Sequence, residues 1–479
     1  MTPRKGRGFA KDLAAARKHA GMELLRPHAA GIDVHSREHY VAVPADAVPE
    51  GWIHPDPNLP PNVRIFGSNT GDLEAIAAWL KDCGVKTVAL ESTGVYGEML
   101  LEILERHGLE VVLVDARQTA TAPGRPKSDV LDCQWIQRLH SYGLLRASFR
   151  PSAEIRELRK YQRQREMLTR YAASHIHHMQ KALEQMNVKL TEVVTDITGQ
   201  TGMNIIKAIV RGQRDASKLA KYRHARCKAT EAEIASALLG VWSEAALFDL
   251  KQALKLYEEY QRRLRDCGEQ IEKCLRQFAD RSEGKPLPKP VRQPGRKIRG
   301  VCVNARQMLY QLAGVDVTLI EGIDDTTALV LLCELGHDLS KFPTERHFTS
   351  WLGLSPNHRG SGGKIKRRRV RPGANRAARA LRVAAQGCHH AKHALGAFYR
   401  RIAARCGGPK AVVATARKIA ERFWRLLTKG TAYVRQGMDE YEKNYHFKLA
   451  RRLAQRAAEL GYKLVPVTLT PEPEPQPQP

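Results

Sequence analysis

Apolar residues fall into three kinds of pattern along the chain, and each marks a different kind of element. AAGIDVH (29–35), HYVAVPA (39–45) and VRIFGS (63–68) are short runs of β-branched and small apolar residues bounded by turn formers, which predicts three strands. TGDLEAIAAWLKDCG (70–84) has apolar residues at helical spacing, with Thr70 as the expected N-cap and Gly84 as the stop. KTVALES (86–92) reads as a buried strand, VYGEMLLEILERHG (95–108) as a helix ending in glycine, and LEVVLVD (109–115) as a further strand. SDVLDCQWIQRLHSYG (128–143) follows as a helix capped by Ser128. Three strands ahead of an alternating part argue against a doubly wound nucleotide-binding fold and for a mixed sheet flanked by helices. The proline-rich stretch at 49–62 is expected to be a surface excursion.

The second pattern is long and helical. From Pro151 to about Asn187, apolar positions include Ile155, Leu158, Leu168, Ala172, Ile176, Met179, Leu183 and Met186. From Ser243 to Phe278, Leu247, Leu250, Leu254, Tyr257, Leu264, Ile271 and Leu275 keep a 3-4 register, interrupted by Gln261 and Gly268. That register predicts a coiled coil or helical hairpin, with a bundle packed on its own domain as the plainer alternative. The third pattern is compact and mostly helical, over about 305–445. The expected plan is a basic arm over 1–27, a sheet domain over 28–150, a coiled-coil or helical domain over 151–282, a basic proline-rich linker over 283–304, a helical domain over 305–445, and a final helix with a disordered tail over 446–479.

Charge narrows the partners. There are 78 Lys+Arg against 50 Asp+Glu, a formal +28, which calls for a polyanion. No apolar run approaches a membrane span, and the basic start MTPRKGRGFAKDL lacks the apolar core of a signal peptide. Nucleic acid in a cytoplasmic, nucleoid-associated setting is therefore expected, with no membrane partner. The nine cysteines form no CxxC pair, so neither a zinc site nor a disulfide framework is indicated.

Four carboxylates carry the candidate chemistry. Asp33 lies in the first strand and Glu91 at the end of the fourth, while Asp129 and Asp132 lie one turn apart on one helix face. An acid inside an apolar strand is costly unless paired or metal-bound. Converging at a sheet end, the four would offer hard oxygen donors to Mg²⁺, or Mn²⁺, for phosphoryl transfer. Singly, each has a plainer explanation: a strand-end turn for Asp33, a salt bridge for Glu91, a helix-start acid for Asp129.

GSGGKIKRRRV (360–370) raises a second candidate. From Arg359 to Arg382 the chain carries ten Lys/Arg and no acid. Arg359, Lys364, Lys366, Arg367, Arg368, Arg369, Arg371, Arg376 and Arg379 are the expected backbone-binding cations, positioning a strand without reading its sequence. By composition alone, Ser361 would be an ordinary residue of a flexible basic loop. Ser355, before Pro356, has the character of an extended turn. LIEGIDDTTALVLLCELG (319–336) suggests two apolar helical pieces around a hairpin, and Lys410, Arg417, Lys418 and Arg422 a solvated basic helix face.

GIDVH, ALESTGVY and KSDVLDCQWI together resemble the Asp-Glu-Asp-Asp signature of the DEDD-type insertion-sequence transposases, the 110/1111 group. The resemblance continues through 197–220, 247–260, 319–336 and FTSWLGLSPNHRGSGGKIKRRRVRPGANRAARALRVAA (348–385), and spans about 29–440. The 49–62 excursion, the basic arm and the PEPEPQPQP tail have no counterpart in it. It implies a RuvC-like domain of ribonuclease-H fold, then a coiled coil and a C-terminal transposase domain. It implies that Asp33, Glu91, Asp129 and Asp132 bind Mg²⁺ and that Ser361 is the nucleophile, forming a phosphoserine link to DNA. It further implies a noncoding bridge RNA pairing with donor and target DNA. The long helices add the expectation of a homo-oligomer, a dimer or dimer of dimers, in which one chain's acids meet another's serine. Two alternatives stand beside this: a RuvC-like junction nuclease using metal-activated water, and a non-catalytic nucleic-acid-binding protein.

Overall fold

Alternation along the first strand decides the architecture of the N-terminal unit. The computed structural model describes residues 23–92, 94–119, 128–289, 305–361, 364–370 and 375–465, with backbone alone for 92, 357–361, 364–369 and 433–442. The chain separates into two units, Met1–Arg150 and Pro151–Pro479.

In the first unit, β1 (Ala29–Val34), β2 (Glu38–Ala42), β3 (Val63–Gly67), β4 (Thr87–Ser92) and β5 (Glu110–Val114) form one sheet in the order β3-β2-β1-β4-β5. The β1–β2 and β2–β3 pairs are antiparallel, β1–β4 and β4–β5 parallel. Helices α1 (Thr70–Asp82) and α2 (Tyr96–Arg106) make the crossovers that parallel pairing requires. This mixed sheet is the RuvC-like fold expected. Ala30, Ile32, Val34, Val88 and Leu90 pack with Ile76, Leu80, Leu100 and Leu104 of α1 and α2. The intervening positions face the other way, toward α4 (Asp129–Ser141), which follows the short α3 (Ala116–Thr119). The N-cap of α1 is Asn69, not Thr70: its backbone N–H donates to Asp72 Oδ2 at 3.1 Å. Ser128 caps α4 as expected, its hydroxyl accepting from Leu131 N at 3.3 Å.

The second unit is built on α5 (Ala153–Gln185) and α10 (Glu244–Gln277), which pack together with α6 (Leu190–Val193), α7 (Gln200–Val210), α8 (Ala216–Ala220) and α9 (Glu231–Ala237) inserted between them in sequence. Of the positions whose register predicted the helix, Leu250, Leu254, Tyr257, Leu264, Ile271 and Leu275 are buried, while Leu247 is half-buried. Leu168, Ala172, Met179 and Leu183 of α5, with Ile205 and Ile209 of α7, form one core with Leu250, Leu254, Tyr257 and Leu264. Then follow α11 (Ala305–Ala313), α12 (Asp325–Leu335), α13 (Glu345–Trp351), the strands β6 (Pro356–Ser361) and β7 (Lys364–Val370), and α14 (Arg376–Gly387), α15 (Ala394–Cys406), α16 (Gly408–Lys429) and α17 (Thr431–Glu459).

Three expectations change here. The 319–336 segment holds one helix, α12, capped by Asp324, whose Oδ1 accepts from Thr327 N at 2.8 Å; a 3₁₀ turn at Val317–Leu319 precedes it. The basic segment is not a loop: β6 and β7 pair antiparallel, with a register shift between Arg359 and Gly360. The last helix begins at Thr431, after Gly430 at φ +83°, well before 446. Among the described residues no helix is long and apolar enough to cross a membrane.

Candidate metal centre

The face of the sheet opposite α1 and α2 is graded by side-chain size. In parallel register, Gly31 lies beside Ala89 and, one row on, Asp33 beside Glu91. A Cβ at Gly31 would stand 2.2 Å from the backbone N of Gln137 and 2.6 Å from the carbonyl O of Cys133. The backbone of α4 therefore lies directly on β1, a distance only glycine permits. Of its larger apolar side chains α4 buries Ile136 in full, and one such residue is worth roughly 1.5–3 kcal/mol. Its register is set by directional bonds as well. Gln137 Nε2 donates to Ala29 O at 3.1 Å, Trp135 Nε1 donates to Thr119 O at 3.2 Å, and His140 Nε2 pairs with Thr87 Oγ1 at 2.9 Å. Burial, reinforced by Arg26, drives the His140 pKa down to about 4, so its ring is neutral near pH 7.

This docking aims the first turn of α4 at Asp33. Asp33 is 14% exposed, and its pKa is raised to about 6, first by burial and then by Glu91, Asp129 and Asp132, with His35 opposing. His35 Nε2 lies 3.3 Å from Asp33 Oδ2 and 3.5 Å from Asp129 Oδ1. That nitrogen is buried and makes no hydrogen bond. Asp33, His35 and Asp129 each offer a ligand atom within 4.8 Å of the others. Glu91 and Asp132 are outside that group, yet near enough to act on Asp33 electrostatically. The Thr119 hydroxyl donates to Glu91 Oε2 and orients it.

The donor set fits a hard divalent cation: crowded carboxylates, one of them raised in pKa by burial and then by its like-charged neighbours, around a buried ring nitrogen that makes no hydrogen bond. An imidazole in the set favours Mn²⁺ relative to an all-oxygen site. His35 and Thr119 were not anticipated from the sequence. The period of two along a strand relates His35 to Asp33 and could have singled it out; nothing in the sequence marks Thr119.

The raised Asp33 pKa has a consequence for the metal-free protein. The folded carboxyl holds its proton to about pH 6, whereas its ordinary value is 3.8. Stability from this group is therefore complete below the ordinary value and lost as pH rises through 6. The gap corresponds to roughly 3 kcal/mol at most. Chelator-treated wild type and Asp33→Asn are expected to melt alike near pH 4, with the variant several degrees more stable at pH 7. Parallel melting curves across that range would contradict this. Gly31→Ala tests the docking itself: forcing α4 off β1 should cost about 3 kcal/mol and weaken divalent-cation binding. A denaturation midpoint within error of wild type would show that α4 does not depend on that contact.

In the second unit, Ser361 ends β6 and pairs in register with Lys364. Arg359, Lys364, Lys366, Arg367, Arg368 and Arg369 are hairpin positions, while Arg371 lies outside the described residues. Arg376 Nη1 contacts Glu166 Oε2 on α5 at 2.7 Å, and Arg379 pairs with the other oxygen of Glu166. Both expected phosphate contacts are thus already engaged by an internal carboxylate. The Ser355 hydroxyl bonds Thr349 Oγ1 at 3.0 Å, in keeping with a structural role.

A family model described as a transposase, of the IS110 DEDD type, matches residues 30–188, which include all four acids. A second, described as the transposase IS116/IS110/IS902 family, matches 316–400, including the β6–β7 hairpin. Together they cover about half of the chain. The chain is also similar to the "Insertion element IS110 uncharacterized 43.6 kDa protein" of Streptomyces coelicolor, at 33% identity over 133 residues. That match covers 27% of this chain and 32% of the relative, so the chain spans about a third of the length of that curated relative.

Proposed function

Because the chain belongs to the IS110 family of DEDD transposases, we propose that it cuts and rejoins DNA strands through a phosphoserine intermediate at Ser361, with a divalent cation held by the acids of the first unit. The observation that carries this reading is the convergence of Asp129, from a helix start, on Asp33, whose neighbour in register is Glu91. Asp33 and Asp129 would hold Mg²⁺ or Mn²⁺, with Glu91 and Asp132 completing its surroundings and His35 a further candidate donor. Such an ion, when bound, neutralises charge at a phosphodiester and orients it for in-line displacement.

The protein's own groups do the rest. Thr119 holds Glu91 in one orientation. The Oγ of Ser361 attacks phosphorus, forming a serine–phosphate ester as the bond to the leaving sugar oxygen breaks. The serine proton ends on that oxygen, leaving one DNA end linked and the other a free hydroxyl. The ester conserves the phosphodiester, so joining to a new end needs no ATP. The basic hairpin would hold the phosphate backbone without reading bases. That suits guidance by a noncoding bridge RNA, and assembly as a dimer or dimer of dimers would allow acids and serine to come from different chains.

One experiment tests this. End-labelled DNA is incubated with the protein and Mg²⁺, with copurifying RNA retained or removed, and denaturant-resistant protein–DNA adducts are mapped by mass spectrometry. The expected adduct sits on Ser361, and needs both metal and RNA. Cleavage with no adduct would favour water as nucleophile, and full activity without RNA would remove guidance.

A further inference from the structure

Two sets of cations stand out in the C-terminal part of the second unit. Arg417 and Lys418 contact Glu421, Arg422 contacts Glu321 and Arg425 contacts Glu345; with Arg376 and Arg379 on Glu166, these are neutralised from within. Of the basic face expected on α16, Arg417, Lys418 and Arg422 are thus engaged within the fold, while Lys410 is exposed. Glu321 shows the strength of this pairing. Burial alone would raise its pKa, yet His393 and Arg422 draw it down to about 2.

The second set lies on α15 and α17. Between Lys443 and Ala458, α17 has Lys448, Arg451, Arg452 and Arg456 and no acid, and α15 has Arg400, Arg401 and Arg405 and no acid. Among the described residues, no carboxylate pairs with Arg405, Lys448, Arg451, Arg452 or Arg456. The two helices are joined by Arg401, whose guanidinium lies 5.4 Å from the Phe398 ring centre on α15 and 4.9 Å from that of Tyr445 on α17. Tyr445, Lys448, Arg452 and Arg456 follow at spacings of 3, 4 and 4, one stripe of a helix. Phe398, Arg401 and Arg405 form the matching stripe on α15. Between them is a cleft of about 610 Å³ lined by Arg401, Ile402, Ala404, Arg405 and Arg452.

We propose that this cleft is a second DNA-binding site, in which Arg405 and Arg452, extended by Lys448 and Arg456, grip the phosphate backbone of duplex DNA away from the hairpin that carries Ser361. A trough with cations on both walls and no acid among its lining residues concentrates positive potential where a polyanion can enter. DNA is the polyanion on which the proposed reaction acts, and the inference rests on that reading. The cleft lies beyond residue 400, where the second family match ends. It would hold flanking duplex while strands are exchanged.

The test uses the full chain and a labelled random-sequence duplex of about 30 base pairs, titrated by fluorescence anisotropy between about 50 and 200 mM salt. Arg405→Gln with Arg452→Gln is expected to lower the slope of log Kd against log salt by about 2, one per cation, and to weaken affinity on the order of tenfold. Arg405→Lys with Arg452→Lys should keep most of the slope. Lys251→Gln with Lys255→Gln on α10 removes the same charge elsewhere and should leave it unchanged. An unaltered slope in the Gln pair, or an equal loss in the α10 pair, overturns the proposal. So does a change seen with an RNA stem–loop and absent with DNA. A wild-type protein that does not bind DNA would sink the recombinase reading itself, whereas failure of the cleft alone appears only in the variants.

Discussion

Asp33→Asn is expected to abolish DNA strand cleavage, lowering the rate roughly a thousandfold or more, while the metal-free protein becomes more stable. A thousandfold corresponds to about 4 kcal/mol of barrier, a modest share of what carboxylate-held metal ions contribute to phosphoryl transfer. Asn keeps the shape of Asp and removes its charge, so α4 should dock as before. What disappears is one hard anionic donor and one member of a crowded acidic set. Lost activity with gained stability cannot come from misfolding, which would move both in the same direction. Single-turnover cleavage at saturating Mg²⁺, with thermal melts of the same preparations in chelator, reads both quantities. Cleavage within tenfold of wild type would remove Asp33 from the metal centre.

Ser361→Ala is the second large effect. The covalent adduct is expected to vanish and recombination to fall below detection, while DNA affinity stays within about twofold, since one neutral hydroxyl adds little to a phosphate-driven contact. Ser361 ends a strand and pairs with Lys364 through the backbone, so alanine leaves the hairpin's hydrogen bonds in place. Denaturing gels of labelled DNA, read beside anisotropy, separate loss of chemistry from loss of binding. If Ser361→Ala still joined strands, the nucleophile would have to be sought elsewhere.

How much of this could be read from the sequence depended on where each stabilising partner lay. The five strands and their helices were legible because each buries its own alternating or helical stripe; Ile32, Leu90 and Leu104 are fully enclosed where the pattern placed them. The long helices were legible for the same reason. The hairpin was not. KIKRRRV has apolar residues only at Ile365 and Val370, so the sequence offers no alternating stripe to mark it, and the strand shows in its backbone pairing with β6. The engagement of Arg376 was hidden differently, since its partner Glu166 lies 210 residues earlier. Of the candidate site, Asp33 and Glu91 stood out because charge inside an apolar strand is conspicuous, whereas Asp129 and Asp132, on a helix start, were singled out by their spacing and by the resemblance. His35 sat two positions from Asp33, at the end of the same strand run, and carried no signal of its own.

The anchoring of α4 makes it a lever. Its acids act at one end, and its fastening to Thr87 through His140 is at the other, roughly 12–16 Å away at ~1.5 Å per residue. A helix hardly compresses, so an axial slip at the fastening arrives at Asp129 and Asp132 undiminished. Constellations of this kind tolerate errors of only about 0.5 Å. Residues outside the acidic cluster, His140 and Gln137 among them, would thereby hold the fine adjustment of the proposed metal site. A ligand or partner pressing on the far end of that helix would have a remote control over cleavage.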